Sequence, residues 1–245
     1  CIRDSPDAVQ EGWVMFADLA TLVNQAEKET SGMSQVGWEF IGESTYNVLG
    51  EANWSPFATD MADAEARALR FVGEPGNLAR LQLAFQELGS QPEVTLQATS
   101  FYDTNYVEEA GDAAEGVFVE SVFVPFEEAD QSPATARYLE LLEAQGGKVA
   151  VLGAQSMSGW LLFATAARDC DRAGDLSRTC VLETAAEQTE WTGGGLHAPS
   201  SPGTNESSEC QLVIRVQDGG FVRHAPDEDF ACDPGYVVEV EPGTS

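Results

Sequence analysis

Four times between Trp13 and Phe123 the chain passes from a short apolar run to a longer amphipathic one, and that alternation constrains the fold most. Trp13-Val-Met-Phe-Ala17 reads as a buried strand. Asp18 is placed to cap the next segment, and Leu19, Leu22, Val23 and Ala26 recur at helical spacing, so Asp18–Thr30 is expected to be an amphipathic helix closed by Gly32. Gly37–Gly42 is the next strand. Ser55 as N-cap and Pro56 in the first turn open a helix that turns Phe57, Met61 and Ala64 inward. Ala68–Val72 is a third strand. It ends in Gly73-Glu-Pro-Gly-Asn77 and leads to a helix with Leu78, Leu81, Phe85 and Leu88 on its buried side and Gly89 at its end. Val94–Ala98 is a fourth. It feeds a turn rich in hydroxyls and rings, a short helix capped by Asp103, and a β-rich run from Gly116 to Phe123. Strand alternating with helix calls for an α/β fold, a parallel sheet with helices on both faces.

In open sheets of this kind ligands are met beyond the carboxyl ends of the strands. Thr99, Ser100, Phe101 and Tyr102 occupy such a position.

The second half reads differently. Ser132-Pro133 start a helix with Tyr138, Leu141 and Leu142 inward and Gly146-Gly147 closing it. Gln155–Cys170 is apolar nearly all round, through Trp160, Leu161, Leu162, Phe163 and Ala166, which predicts deep burial. Ser177 caps a further helix through Gln188. Gln211–Val216, a Gln-Asp-Gly-Gly turn and Phe221-Val-Arg make a β-hairpin. The tail from Val237 alternates valine and glutamate and ends Pro-Gly-Thr-Ser.

The net charge of −29 excludes nucleic acid as a partner, because its phosphates would be repelled. It fits a solvated acidic surface, and lysine is almost absent (Lys28 and Lys148), which also fits a saline habitat. No apolar run reaches the ~20 residues a membrane helix needs. Five cysteines point to an oxidising compartment. The economical pairing is Cys170 with Cys180 and Cys210 with Cys232, leaving Cys1 for a partner upstream or for a lipidated terminus. Only two histidines and no Cys-x-x-Cys pair exclude a zinc site. No motif for hydride, phosphoryl or acyl transfer is present: Thr192-Gly-Gly-Gly195 lacks the lysine of a phosphate loop, and neither histidine lies near a nucleophile elbow. The chain reads as non-catalytic, with no cofactor and no metal. Asn53-Trp-Ser and Asn205-Glu-Ser match the glycosylation pattern, which is too short to carry weight.

Ala110-Gly-Asp-Ala-Ala-Glu-Gly-Val-Phe-Val119, followed by Pro125-Phe-Glu-Glu128, resembles the second half of a type 1 periplasmic binding protein, in the branched-chain amino-acid (leucine/isoleucine/valine-type) branch of the ABC transporter receptors. The resemblance extends from Trp13 to Cys232. It implies two lobes joined by three crossings with a solute clamped between them. Residues 1–124 correspond to the second, Rossmann-like lobe, 125–190 to an incomplete helical return to the first lobe, and 191–245 to the last crossing, the hairpin and the tail. The chain is then expected to be the carboxyl-terminal portion of a larger receptor. Without the strands that support it, the helix around Trp160 would expose an apolar patch.

By the same resemblance, three loops should face the ligand: Asp18 and Leu19 at the start of the first helix; Glu74 and Pro75, where amino-acid receptors often place a ring; and Thr99–Tyr102, where they commonly place a carboxylate. Here Thr99 and Ser100 stand at that position and cannot ionise, so Glu74 is the group left to meet a ligand ammonium. The resemblance makes the solute an amino acid, while the departure at Thr99 and Ser100 opens an amide or a small acid in its place; the resemblance also makes the partner an ABC permease in the membrane and the location extracytoplasmic. The alternative is a sensory module of the same fold feeding a signalling partner.

Overall fold

The computed structural model describes residues 7–204, 206 and 208–240. Cys1, Asn205 and the Pro-Gly-Thr-Ser tail lie outside the described residues. The chain separates into two compact units. The first runs to Glu120 and takes in Arg215–Phe221 and the chain from Val238. The second is Ser121–Ile214 with Val222–Val237. The chain thus leaves the first unit after Glu120 and returns to it at Arg215. Residues 191–214, expected with the hairpin, belong to the same unit as the helices that precede them.

In the first unit, β1 (Gly12–Ala17), β2 (Phe40–Tyr46), β3 (Ala68–Val72), β4 (Val94–Gln97) and β5 (Phe118–Ser121, its last residue in the second unit) order as β2-β1-β3-β4-β5. All four pairings are parallel. Helices α1 (Ala20–Gln35), α2 (Ser55–Asp63), α3 (Pro75–Leu88) and α4 (Thr104–Ala110) connect them. β3, at the centre of this order, is buried throughout, as a strand covered on both faces must be. Val14, Ala26 and Val72 pack on the α1 side. Phe71 joins Tyr46, Trp54 and Phe101 in an aromatic cluster with ring centroids 5.0, 6.5 and 6.1 Å away.

Local chemistry explains several boundaries. Gly89 ends α3 in the left-handed conformation at φ 72°. Asp103 accepts from the Asn105 amide at 3.0 Å and caps α4. Three expectations are corrected. Ser55 is not the N-cap of α2 but its first residue, after Trp54. Asp18 does not cap α1, whose N-cap is Leu19; its Oδ1 instead accepts from the Val48 amide at 2.7 Å and ties down the loop after β2. Gly32 does not end α1, which continues to Gln35. There a β-carbon would meet Val238 and Val240, so the glycine makes room for the tail.

The second unit holds α5 (Pro133–Gln145), α6 (Val151–Arg172) and α7 (Arg178–Ala186). Ser132 caps α5 by accepting from the Thr135 amide, and Gly146 closes it at φ 63°. Ser177 caps α7. Disulfides join Cys170 to Cys180 and Cys210 to Cys232, the latter linking β6 (Cys210–Gln217) to β8 (Ala231–Cys232). β6 turns through Asp218 and Gly219, both at positive φ, into β7 (Gly220–Ala225), the primed turn that suits a two-residue hairpin loop.

Deep burial of α6 is also corrected. Val151, Ala154, Ser158, Ala166 and Cys170 are buried, but Trp160 is 70% exposed, Leu152 55% and Phe163 50%. The helix is covered along one side only, and its composition hides that asymmetry.

Candidate functional site

β1, β3 and β4 are neighbours and run parallel, so the residues after each carboxyl end gather at one edge of the sheet. Asp18 and Leu19 follow β1, Gly73–Pro75 follow β3 and Thr99–Tyr102 follow β4. The loop after β2, which sequence reading did not single out, joins them because Asp18 holds Val48.

Each side chain has its own station. Asp18 is exposed, and its carboxylate is occupied by the Val48 amide. Leu19 is 46% exposed, and Leu49, on the loop after β2, is 91% exposed. Glu74 precedes α3 as its N-cap, yet its side chain caps nothing; the carboxylate is exposed, while its carbonyl accepts from Asn77 and Leu78. Pro75 opens α3, where its missing amide costs nothing. Gly73 is compelled by its neighbour, because a β-carbon there would collide with the Tyr46 hydroxyl. Burial pushes the Tyr46 pKa up, and its hydroxyl lies 3.5 Å from the Val72 carbonyl.

The turn after β4 divides into an outer and an inner part. Thr99 and Ser100 are half-buried, and the Thr99 hydroxyl donates to the Glu120 carbonyl at 2.9 Å. Phe101 and Tyr102 are each 1% exposed. Phe101 packs edge-on against Phe71 and Tyr106, and Tyr102 edge-on against Phe221 with centroids 4.7 Å apart. These two rings support the turn from beneath. The surface at this edge therefore offers the exposed carboxylate of Glu74, two hydroxyls and the apolar side chains of Leu19 and Leu49, with the exposed Glu109 carboxylate beside Gly76 at the start of α3. Such groups are suited to hydrogen-bonding and orienting a small molecule, and among the described residues of this edge no nucleophile is paired with a base.

A serine–histidine pair does occur in the second unit. Ser158 Oγ lies 2.7 Å from His197 Nε2. Trp191 Nε1–H donates to Ser158 at 2.9 Å, so the serine proton is directed to His197, whose Nδ1–H donates to the Ala198 carbonyl at 2.7 Å. Ser158 is 5% exposed and a β-carbon at Gly193 would meet its hydroxyl, so the pair is closed over. Burial lowers the His197 pKa. The residues are 39 apart in sequence, which is why sequence reading missed them. They join α6 to the segment after Trp191. Among the described residues no cluster of three or more His, Cys, Asp or Glu could hold a metal ion, and no helix is long and apolar enough to cross a membrane.

A parallel sheet with its loops drawn to one edge, and a chain that departs for a second unit and comes back, is an α/β arrangement in which ligands are met beyond the carboxyl ends of the strands. The chain belongs to the periplasmic binding protein family, whose profile matches residues 13–220. That family consists of solute-binding proteins, and the match agrees with the type 1 resemblance drawn from Ala110–Val119 and Pro125–Glu128. Solved structures similar to it include a leucine-binding protein of Thermotoga maritima (TM-score 0.71, 15% identity, covering 96% of this chain and 64% of that one). A branched-chain amino-acid ABC transporter protein of Thermus thermophilus with bound valine gives TM-score 0.72 at 13% identity over 94% and 62%. A fatty-acid ABC transporter substrate-binding protein of Thermomonospora curvata gives 0.76 at 16% over 95% and 60%. At these identities the similarity is one of fold. The chain spans less than two thirds of the length of each of these three proteins. No curated protein matches the sequence.

Proposed function

We propose that this chain is the ligand-binding portion of an extracytoplasmic receptor that delivers a small solute to an ABC permease. The observation that carries the reading is the gathering of Asp18–Leu19, Gly73–Pro75 and Thr99–Ser100 at one edge of a parallel sheet, in a chain of a solute-binding family. Residues up to Glu120 supply one wall of the site. Glu74 meets the positive end of the solute, Thr99 and Ser100 hydrogen-bond to its polar groups, and Leu19 and Leu49 cover an apolar part.

The solute class in best accord with that wall is an amino acid or a small amide with an apolar side chain. A short-chain acid is the competing class, because the similar structures include a fatty-acid binder. The test is thermal denaturation of the purified protein with a panel of amino acids, amides and short acids. A rise in the midpoint with one class, abolished by Glu74→Ala for a cationic or zwitterionic solute, supports the reading. A flat response across the panel sinks it.

A further inference from the structure

Arg70 lies in the middle of β3 and is 3% exposed. Its Nε donates to Glu29 of α1 at 2.7 Å, its Nη2 to Glu120 of β5 at 3.0 Å and its Nη1 to the Leu96 carbonyl of β4 at 3.1 Å. Burial opposes the charge, but the carboxylates of Glu120 and Glu29 outweigh it and raise the guanidinium pKa above its ordinary value. Replacing such a buried ionic group by apolar residues of similar volume is often neutral or stabilising, so stability alone does not account for it.

Glu120 supplies the missing reason. Its carboxylate is held by Arg70 while its carbonyl accepts from the Thr99 hydroxyl at 2.9 Å. It is also the last residue of the first unit before the chain departs at Ser121. The turn it restrains is a single 3-10 turn, Thr99–Phe101, with the Phe101 amide bonded to the Ala98 carbonyl and the Tyr102 amide to Thr99. A turn so short has little of its own to fix it. Phe101 anchors it from below and the Thr99 hydroxyl from the side. Through Glu29 the same guanidinium also grips α1, the helix that begins beside Leu19.

We infer that Arg70 and Glu120 are positioning residues for the candidate ligand turn: Arg70 fixes Glu120, and Glu120 fixes Thr99. The inference rests on the reading of this edge as a ligand wall. Neither residue touches the solute. Together they set the place of the hydroxyls that do, and they tie that place to the point where the chain crosses to the second unit.

The test is amide hydrogen exchange on the unliganded protein. In Glu120→Gln, exchange at the Phe101 and Tyr102 amides rises about tenfold while the amides of α3 and α5 keep their rates. Thr99→Val gives the same local rise, and the double variant adds nothing further, because both substitutions cut one chain of contacts. Unchanged exchange at 101 and 102 in Glu120→Gln overturns the inference. So does a rise of equal size in α3, which marks a merely structural role, and so does full additivity in the double variant. The solute panel runs on the unmodified protein, so the two failures are separable: a silent panel beside raised local exchange removes the ligand wall and leaves the Arg70 clamp without a ligand role.

Discussion

The Tyr46 hydroxyl fills the space that a side chain at Gly73 would need. The loop after β3 can approach the end of β2 only because residue 73 has no β-carbon. Gly73→Ala is therefore expected to destabilise the first unit by about 2 kcal/mol, the cost of overpacking a closed site. Tyr46→Phe removes the colliding oxygen but leaves the ring carbon Cζ 3.0 Å from the new β-carbon and φ at 158°, so the double variant should recover only part of that loss. Chemical denaturation of the four proteins measures it, and equal stability of Gly73→Ala and the unmodified protein would show that the loop yields freely.

Glu74 and Phe101 stand one loop apart and should behave oppositely. Glu74 is exposed and bonds to nothing through its side chain, so Glu74→Ala should change stability by less than about 0.5 kcal/mol. It should nevertheless weaken binding of a cationic or zwitterionic solute about tenfold or more, read by calorimetric titration with the solute the thermal panel identifies. Phe101→Ala should cost about 3–5 kcal/mol of stability, because the ring is enclosed by Phe71 and Tyr106.

Lowering the pH should weaken the second unit through His197. Burial lowers its pKa, so the unfolded chain takes up a proton more readily than the folded one. The stabilisation is present above the ordinary imidazole pKa and fades as pH falls below it. Neutralisation of carboxylates acts on the same scale in this acidic chain, so the informative quantity is the difference between the unmodified protein and His197→Gln. That difference in Tm should shrink between pH 7.5 and pH 5.5; a constant gap would place the histidine outside the titration.

Much of the architecture was legible from the chain alone, where the signal was local. β3 and α3 kept their expected ends because Gly73 and Gly89 flank them, and Ser132 and Gly146 bracket α5 for the same reason. What was not legible depends on contacts far apart in sequence. Asp18 looked like a helix cap until Val48, 30 residues on, claimed its carboxylate. Tyr102 was expected to face the ligand, but it is buried against Phe221. Arg70 showed nothing unusual as one residue in an apolar run; its two carboxylates lie 41 and 50 positions away. The apolar stretch of α6 announced a helix but not which side would be covered.

The Cys170–Cys180 bridge closes a short loop between α6 and α7, and Cys170 is 1% exposed. By the entropy of the closed loop it should stabilise the helix pair by about 3 kcal/mol. Replacing both cysteines with serine should lower the unfolding midpoint and raise exchange in α7 first, since no residue of that helix is buried. Intact protection of α7 in that variant would mean packing alone holds it.

The exposure of Trp160 has an optical consequence. Trp13, Trp38 and Trp54 are 9%, 3% and 6% exposed, against 70% for Trp160. Their fluorescence is shielded, while the indole on α6 emits into bulk solvent and is open to a dissolved quencher. Whatever comes to rest on that helix, whether more of the same polypeptide or another molecule, must shift its emission to the blue and protect it from quenching.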